Sequence, residues 1–275
     1  MSVEMLIPIA IIGGLGLFFG VGLSFASKKF EVQVDERIKL IRETLPGANC
    51  AACGYTGCDA FAEAVAEGKA KADGCPVGGA GVAREIRKIM GTGTEEGGSP
   101  GEKDRKKEEE GQTARVLCGG TYDTCKAKYK YEGIEDCDAA TALYGGPSAC
   151  NYGCVGLGTC VRACPFGGIV VENGLARVLE SKCKGCGLCV KACPKNIIKL
   201  VPRYSKHTVL CSSHDRGLVV RQLCDVGCIA CLRCVRICTV GAISMDDQLA
   251  VVNPQLCMNC GECVKVCPTS TIKQL

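Results

Sequence analysis

Twenty-five cysteines and only two histidines in 275 residues set the chemistry open to this chain. Soft thiolate ligands select zinc and iron–sulfur clusters. The most specific spacing is C-x2-C-x2-C-x3-C-P, which occurs as CKGCGLCVKACP at 183–194 and CMNCGECVKVCP at 257–268. A third run, CIACLRCVRICT at 228–239, keeps that spacing with Thr239 in place of proline. In modules with two such runs, the fourth cysteine of one run ligates the other run's [4Fe–4S] cluster. That rule assigns Cys228, Cys231, Cys234 and Cys267 to one cluster and Cys257, Cys260, Cys263 and Cys238 to its partner. Upstream, Cys183, Cys186, Cys189 and Cys164 form a third set. A fourth set, Cys154, Cys160 and Cys193, is one ligand short, because Leu157 stands where Cys231 stands in the later copy. Cys150 and Cys137 are both candidates to complete it, and a three-iron cluster is the other option.

Nine cysteines from Cys137 to Cys193 recur at an offset of 74 residues, from Cys211 to Cys267. The chain therefore carries an internal repeat. Cys118, Cys125, Cys211 and Cys224, with whichever of Cys137 and Cys150 is left, are candidates for a sixth cluster. Another four-cysteine group lies ahead of the repeat: Cys50-x2-Cys53-x4-Cys58 and, further on, Cys75-Pro76. Structural zinc also takes four cysteines. The close three-plus-one grouping with proline after the last cysteine favours a [4Fe–4S] cluster here. Six clusters would use all the thiols but one. An odd cysteine count in so long a chain fits poorly with a disulfide scaffold.

These ligands need elements to position them. Without its cysteines the chain is lean in apolar residues, 5% aromatic and free of Trp, too little for one large hydrophobic core. Residues 6–26 carry no charge, and Lys28 and Lys29 follow them. About twenty helical residues span the hydrocarbon of a bilayer. The positive-inside rule then puts the rest of the chain on the cytoplasmic side of the cell's inner (plasma) membrane, as a single-pass protein. Residues 31–46 read as an amphipathic helix with Val34, Ile38, Ile41 and Leu45 on one face. A second helix is expected just after Cys58. The Gly-rich, densely charged stretch 91–112 has no face to bury and reads as a flexible tether. GGIVVENGLARVLE and GAISMDDQLAVVN read as β-hairpins, and the segments after Cys160 and Cys189 as single helical turns. The expected fold is α+β: a transmembrane anchor (1–29), a small helical four-cysteine [4Fe–4S] domain (30–90), a flexible charged linker (91–112) and two tandem ferredoxin-like 2[4Fe–4S] modules, the first with its upstream cysteines (113–205) and the second over 206–275.

No Walker A sequence occurs, and no G-x-G-x-x-G follows a strand, so neither a flavin nor an NAD site is expected in this chain. No catalytic residue is expected: centres with four cysteine ligands move electrons and leave no position for a substrate. His207 and His214 read as surface residues. Residues 181–214 hold seven Lys or Arg and no acid before Asp215. Lys182, Lys184, Lys191, Lys195 and Lys199 in this run are candidates for docking an acidic redox partner. No aromatic platform accompanies them, which argues against nucleic acid.

An uncharged N-terminal stretch, the CAACGYTGC motif at 50–58 and two ferredoxin-type modules together resemble the B subunit of the Rnf electron-transport complexes, in the long form with two modules. The resemblance covers essentially the whole chain. It implies a membrane-anchored electron-transfer subunit of an ion-translocating ferredoxin:NAD oxidoreductase. Such a subunit takes electrons from soluble ferredoxin and passes them through [4Fe–4S] clusters, five assigned and a sixth expected, to other membrane and flavin subunits. A related complex that reduces a redox-sensing transcription factor is the alternative.

Overall fold

The computed structural model describes residues 13–21, 23–25, 35–92 and 111–275. Residues 13–21 and 23–25 are helical, within the stretch expected to span a membrane; residues 6–12, 22 and 26 of that stretch lie outside the described residues. Among the described residues no helix is long and apolar enough to cross a membrane. Most of the expected tether, 93–110, is also outside the described residues, as is Val34.

Residues 35–92 form three helices: α1 (Glu36–Thr44), α2 (Cys58–Ala66) and α3 (Gly79–Ile89). Asp35 caps α1 by accepting the Arg37 amide at 2.9 Å, satisfying one of the free N–H groups of the first turn. The helices meet through Ile41, Leu45, Phe61, Ala62, Val65 and Ile86, and Cys53, Cys58 and Cys75 pack against this cluster. The amphipathic reading of residues 31–46 holds for α1, and α2 begins at Cys58 itself. Helix α3 was not anticipated, although Val82, Ala83, Ile86 and Ile89 have helical spacing.

The remainder is two similar units of short strands and single-turn helices. In the first, β1 (Gln112–Val116) pairs antiparallel with β4 (Ile198–Pro202), and β2 (Ile169–Glu172) pairs with β3 (Leu175–Val178). In the second, β5 (His207–Val209) pairs with β8 (Ile272–Gln274), and β6 (Ile243–Asp246) with β7 (Leu249–Val252). The two local hairpins are those expected. Asn173 and Gly174 turn β2 into β3 with φ of 48° and 73°, the left-handed pair a tight hairpin requires. The β1–β4 and β5–β8 pairings join the two ends of each unit. Strand β1 begins at Gln112, inside the stretch expected to be tether.

Six short helices follow, each but α7 containing a cysteine: α4 (Cys137–Ala142), α5 (Thr159–Arg162), α6 (Leu188–Lys191), α7 (Gly217–Leu223), α8 (Arg233–Ile237) and α9 (Glu262–Val266). The two cores mix small aliphatic side chains with buried cysteines, among them Ile169, Ile197 and Ile198 with Cys160 and Cys189, and Ile243 and Ile272 with Cys228 and Cys234.

Two expectations are corrected. His207 is not a surface residue: it is 2% exposed on β5, its Nδ1 lying 3.3 Å from Asn259 Oδ1. The offset of 74 also misaligns one pair. Val116–Leu117–Cys118 and Val209–Leu210–Cys211 leave equivalent strands, and the Leu117 and Leu210 amides bond equivalently to the Ile197 and Thr271 carbonyls, at 2.7 and 2.8 Å. The counterpart of Cys211 is therefore Cys118, not Cys137.

Candidate metal centres

The binding runs share one construction. A residue with left-handed backbone precedes four of the short helices and aims the next cysteine inward: Gly158 (φ 75°) before α5, Gly187 (φ 78°) before α6, Leu232 (φ 61°) before α8 and Gly261 (φ 80°) before α9. Cys160, Cys189, Cys234 and Cys263 on these helices are all buried.

Four thiols, Cys137, Cys154, Cys160 and Cys193, line one pocket. Cys137 is thus the residue that stands where Leu157 leaves a gap. The Cys137 amide donates to Thr159 Oγ1 at 2.8 Å, and that hydroxyl donates to Asp136 Oδ2 at 3.0 Å. Arg162 closes the clamp by donating to the same carboxylate at 3.2 Å. Leu157 packs beside Cys137 and Val155. Burial, with Cys154, Cys137 and Cys193 nearby, pushes the Cys160 thiol up to about 12.

A second pocket is lined by Cys164, Cys183, Cys186 and Cys189. The Gly168 amide donates to Cys164 Sγ at 3.3 Å and the Ala114 amide to Cys183 Sγ at 3.4 Å. Burial and its three neighbours push the Cys189 thiol up to about 11. Burial works most strongly against ionising Cys183, but the Ala114 and Gly185 amides, the Thr113 side chain and the Arg203 charge together outweigh it and hold that thiol below its ordinary value. A third pocket brings together Cys228, Cys231, Cys234 and Cys267. Burial, with Cys228 and Cys231 nearby, pushes Cys234 up to about 11.

Cys238 accepts the Ala242 amide at 3.2 Å, matching Cys164 in the first unit. Cys263 is raised by burial and by Cys257 and Cys260, and Cys260 is exposed. In the helical domain, Cys75 is raised by burial, with Cys53 and Cys58 within electrostatic reach, and Asn49 Oδ1 accepts the Cys58 amide at 2.8 Å. Cys50 in turn lies near enough to raise Cys186 of the first ferredoxin-like unit. The remaining cysteines, Cys118, Cys125, Cys150, Cys211 and Cys224, line a further cavity between the two units.

This donor set fits iron–sulfur clusters. Crowded, buried thiols resist ionising alone, and multinuclear iron supplies the positive charge that stabilises them as thiolates. Amide donors aimed at sulfur tune such centres. Among the described residues no three His, Cys, Asp or Glu side chains converge tightly enough for a single metal ion; the thiols surround cavities instead.

Lys182, Lys184, Lys191 and Lys199 are exposed and make no ion pair with a described residue. Lys195 differs: its half-buried ammonium donates to the Gly145 and Asn151 carbonyls at 2.5 and 2.6 Å, and burial lowers its pKa. It holds the fold and is not available for docking.

Three family models match the chain: an Fe–S cluster domain over residues 45–77, a 4Fe-4S binding domain over 176–199 and a 4Fe-4S dicluster domain over 227–271. Similar proteins include the B subunit of the Na(+)-translocating ferredoxin:NAD(+) oxidoreductase complex of Acetobacterium woodii, 44% identical over 98% of this chain and 77% of the relative. The B subunit of the ion-translocating oxidoreductase complex of Methanosarcina acetivorans is 39% identical over 99% of both chains. The B subunit of the proton-translocating ferredoxin:NAD(+) oxidoreductase complex of Clostridium ljungdahlii is 39% identical over 95% of this chain and 89% of the relative.

Proposed function

The chain belongs to the B-subunit family of ion-translocating oxidoreductase complexes, and on that premise we propose that it receives electrons from reduced ferredoxin and relays them towards NAD. It is an iron–sulfur electron-transfer subunit of such a complex, and other subunits of the complex are its partners. A bound [4Fe–4S] cluster takes up and returns one electron at a time and, with four cysteine ligands, leaves no open position for a substrate.

Five ligand sets follow. Cys50, Cys53, Cys58 and Cys75 would hold one cluster in the helical domain (30–90). Cys164, Cys183, Cys186 and Cys189 would hold a second, and Cys137, Cys154, Cys160 and Cys193 a third, in the first module (113–205). Cys228, Cys231, Cys234 and Cys267 would hold a fourth, and Cys238, Cys257, Cys260 and Cys263 a fifth, in the second module (206–275). The residues around them bury the thiolates, donate amides to sulfur and exclude water. The uncharged stretch 6–26, with Lys28 and Lys29 after it, is the membrane anchor and leaves the iron–sulfur domains on the cytoplasmic side.

The observation that best supports a relay is that two cysteine-lined pockets lie within the first module, Cys160 of one and Cys189 of the other being buried in the same core. Anaerobic stopped-flow mixing with reduced ferredoxin tests the reading. Bleaching of the cluster absorbance within milliseconds to seconds is expected, and no reduction on that timescale would rule ferredoxin out as the donor.

A further inference from the structure

The two modules build the same loop around equivalent cysteines and then clothe it differently. The loops that open at Cys183 and Cys257 match turn for turn. Gly185 and Asn259 are left-handed at φ 65° and 56°, and Gly187 and Gly261 at 78° and 80°. Cys164 and Cys238, the fourth members of the two sets, each accept the amide four residues on, at Gly168 and Ala242. The side chains on either side of Cys183 and of Cys257 therefore occupy equivalent places.

In the first module those places hold Lys182 and Lys184, and Lys191 stands on α6; all three are exposed and unpaired among the described residues. In the second module Leu256 and Met258 take the first two places. The third cation is kept as Lys265, but Glu262, standing where the first module has Leu188, pairs with it at 2.7 Å. Every cation of the first face is thus replaced or neutralised in the second. Leu256 is 53% exposed and Met258 66%, with Val240 a further 36%. Val240 and Met258 are the counterparts of Phe166 and Lys184, which line one pocket with Cys164, Cys183, Cys186 and Cys189. Val240 and Met258 accordingly rim the set of Cys238, Cys257, Cys260 and Cys263. Cys260 is exposed there, whereas its counterpart Cys186 is half-buried.

Exposed apolar side chains grouped in this way mark a protein contact, and interface cores are rich in methionine and poor in lysine. Charge narrows the choice of partner. A charged surface docking here would lose its water and meet no counter-charge, since Glu262 and Lys265 already satisfy each other. An uncharged, apolar surface loses nothing of the kind. Membership of a family of complex subunits supplies a partner that can present one.

We propose that Val240, Leu256 and Met258 form a docking face for an uncharged, apolar surface of another subunit of the complex, and that this contact covers the exposed Cys260 edge. The proposal extends the functional reading by naming where the complex holds the second module. It stands whether or not ferredoxin is the donor.

A photoreactive benzoylphenylalanine placed at Met258 of the full chain, in the assembled complex purified without ferredoxin, tests the face directly. Irradiation should give an adduct with a peptide of another subunit of the complex, in equal yield at about 10 mM and about 1 M salt, because burial of apolar surface is not screened. The same group at Lys184 should give no such adduct. No adduct at Met258, an adduct only with a second copy of this chain, or equal yields at Met258 and Lys184 would overturn the proposal, and a yield lost at high salt would overturn the uncharged character of the partner. With the photoreactive group at Val240 instead, adding Leu256→Lys and Met258→Lys should cut the adduct by about tenfold or more, since each buries an unpaired charge. Iron content and EPR signals should stay unchanged, because the first module carries lysine at the same two places; an undiminished adduct overturns the assignment of these residues. Stopped-flow reduction by ferredoxin on the same preparations separates the two readings. An adduct without reduction removes ferredoxin and leaves the docking face, and reduction without an adduct does the reverse.

Discussion

At the residue scale, the irregular site of the first module shows how one substitution is absorbed. Leu157 stands where the second module has Cys231, and Cys137, twenty residues upstream, lines the pocket with Cys154, Cys160 and Cys193. The regular runs were legible in the sequence because C-x2-C-x2-C places three thiols around one centre by local geometry alone. The choice between Cys137 and Cys150 was not, since it depends on the Asp136–Thr159–Arg162 clamp, whose members lie up to 26 residues apart. The buried His207 was hidden for the same reason, its cover coming from Asn259 far along the chain. If Cys137 is the fourth ligand, Cys137→Ala should lose between one and about four irons per chain, the smaller loss marking conversion to a three-iron centre. Adding Leu157→Cys should restore them, because position 157 is where the second module places its own ligand. Iron analysis and EPR of the single and double variants check both steps. Full iron in Cys137→Ala would instead point to Cys150.

At the element scale, the modules rely on left-handed backbone where regular structure would carry a thiol past its site. Hairpins β2–β3 and β6–β7 were readable from their turn residues. The β1–β4 and β5–β8 pairings were not, because each joins strands separated by most of a module, and neither segment alternates strongly enough to announce itself. Gly156 illustrates the constraint. Its φ is +80°, and a Cβ there would sit 2.5 Å from the Gly174 carbonyl oxygen, so both backbone conformation and space demand glycine. In the second module the same place is taken by Ala230, left-handed at φ 53°. Left-handed backbone costs a non-glycine residue roughly 1–2 kcal/mol, and the overlap at Gly156 adds to that by forcing the loop off the hairpin. Gly156→Ala should therefore destabilise the first module by more than about 1–2 kcal/mol and loosen the hold of Cys154. Ala230→Gly relieves strain but loosens the unfolded chain, and should change stability by less than about 1 kcal/mol. Thermal unfolding of the loaded chain under anaerobic conditions measures both. Equal effects at the two positions would show that the contact with Gly174 does not matter.

For the whole molecule, charge decides how a redox partner approaches. The formal charge of the polypeptide is +4, but every oxidised four-thiolate cluster adds about −2. Five or six of them leave the loaded chain at about −6 to −8. An acidic ferredoxin is then repelled by the molecule as a whole and attracted only by local cations. Lys182, Lys184 and Lys191 are exposed and free of ion pairs among the described residues, and Lys184 and Lys191 flank the set of Cys183, Cys186 and Cys189. At about 10 mM salt charges interact over roughly 30 Å, and at 1 M over about 3 Å. The two contributions therefore predict opposite salt dependences. If net repulsion governs encounter, the rate of reduction by ferredoxin rises as salt is added; if the lysine patch steers it, the rate falls. We expect it to fall, and Lys184→Glu with Lys191→Glu to slow reduction at low salt by about tenfold or more, within the range over which steering changes on-rates. The difference should shrink towards nothing near 1 M, while iron content and EPR signals stay unchanged. Reversing Lys195 instead should cost stability, since its ammonium is spent on the Gly145 and Asn151 carbonyls. A double variant that is reduced as fast as the natural chain at low salt would place the ferredoxin elsewhere, with the exposed Cys260 edge of the second module as the next surface to probe.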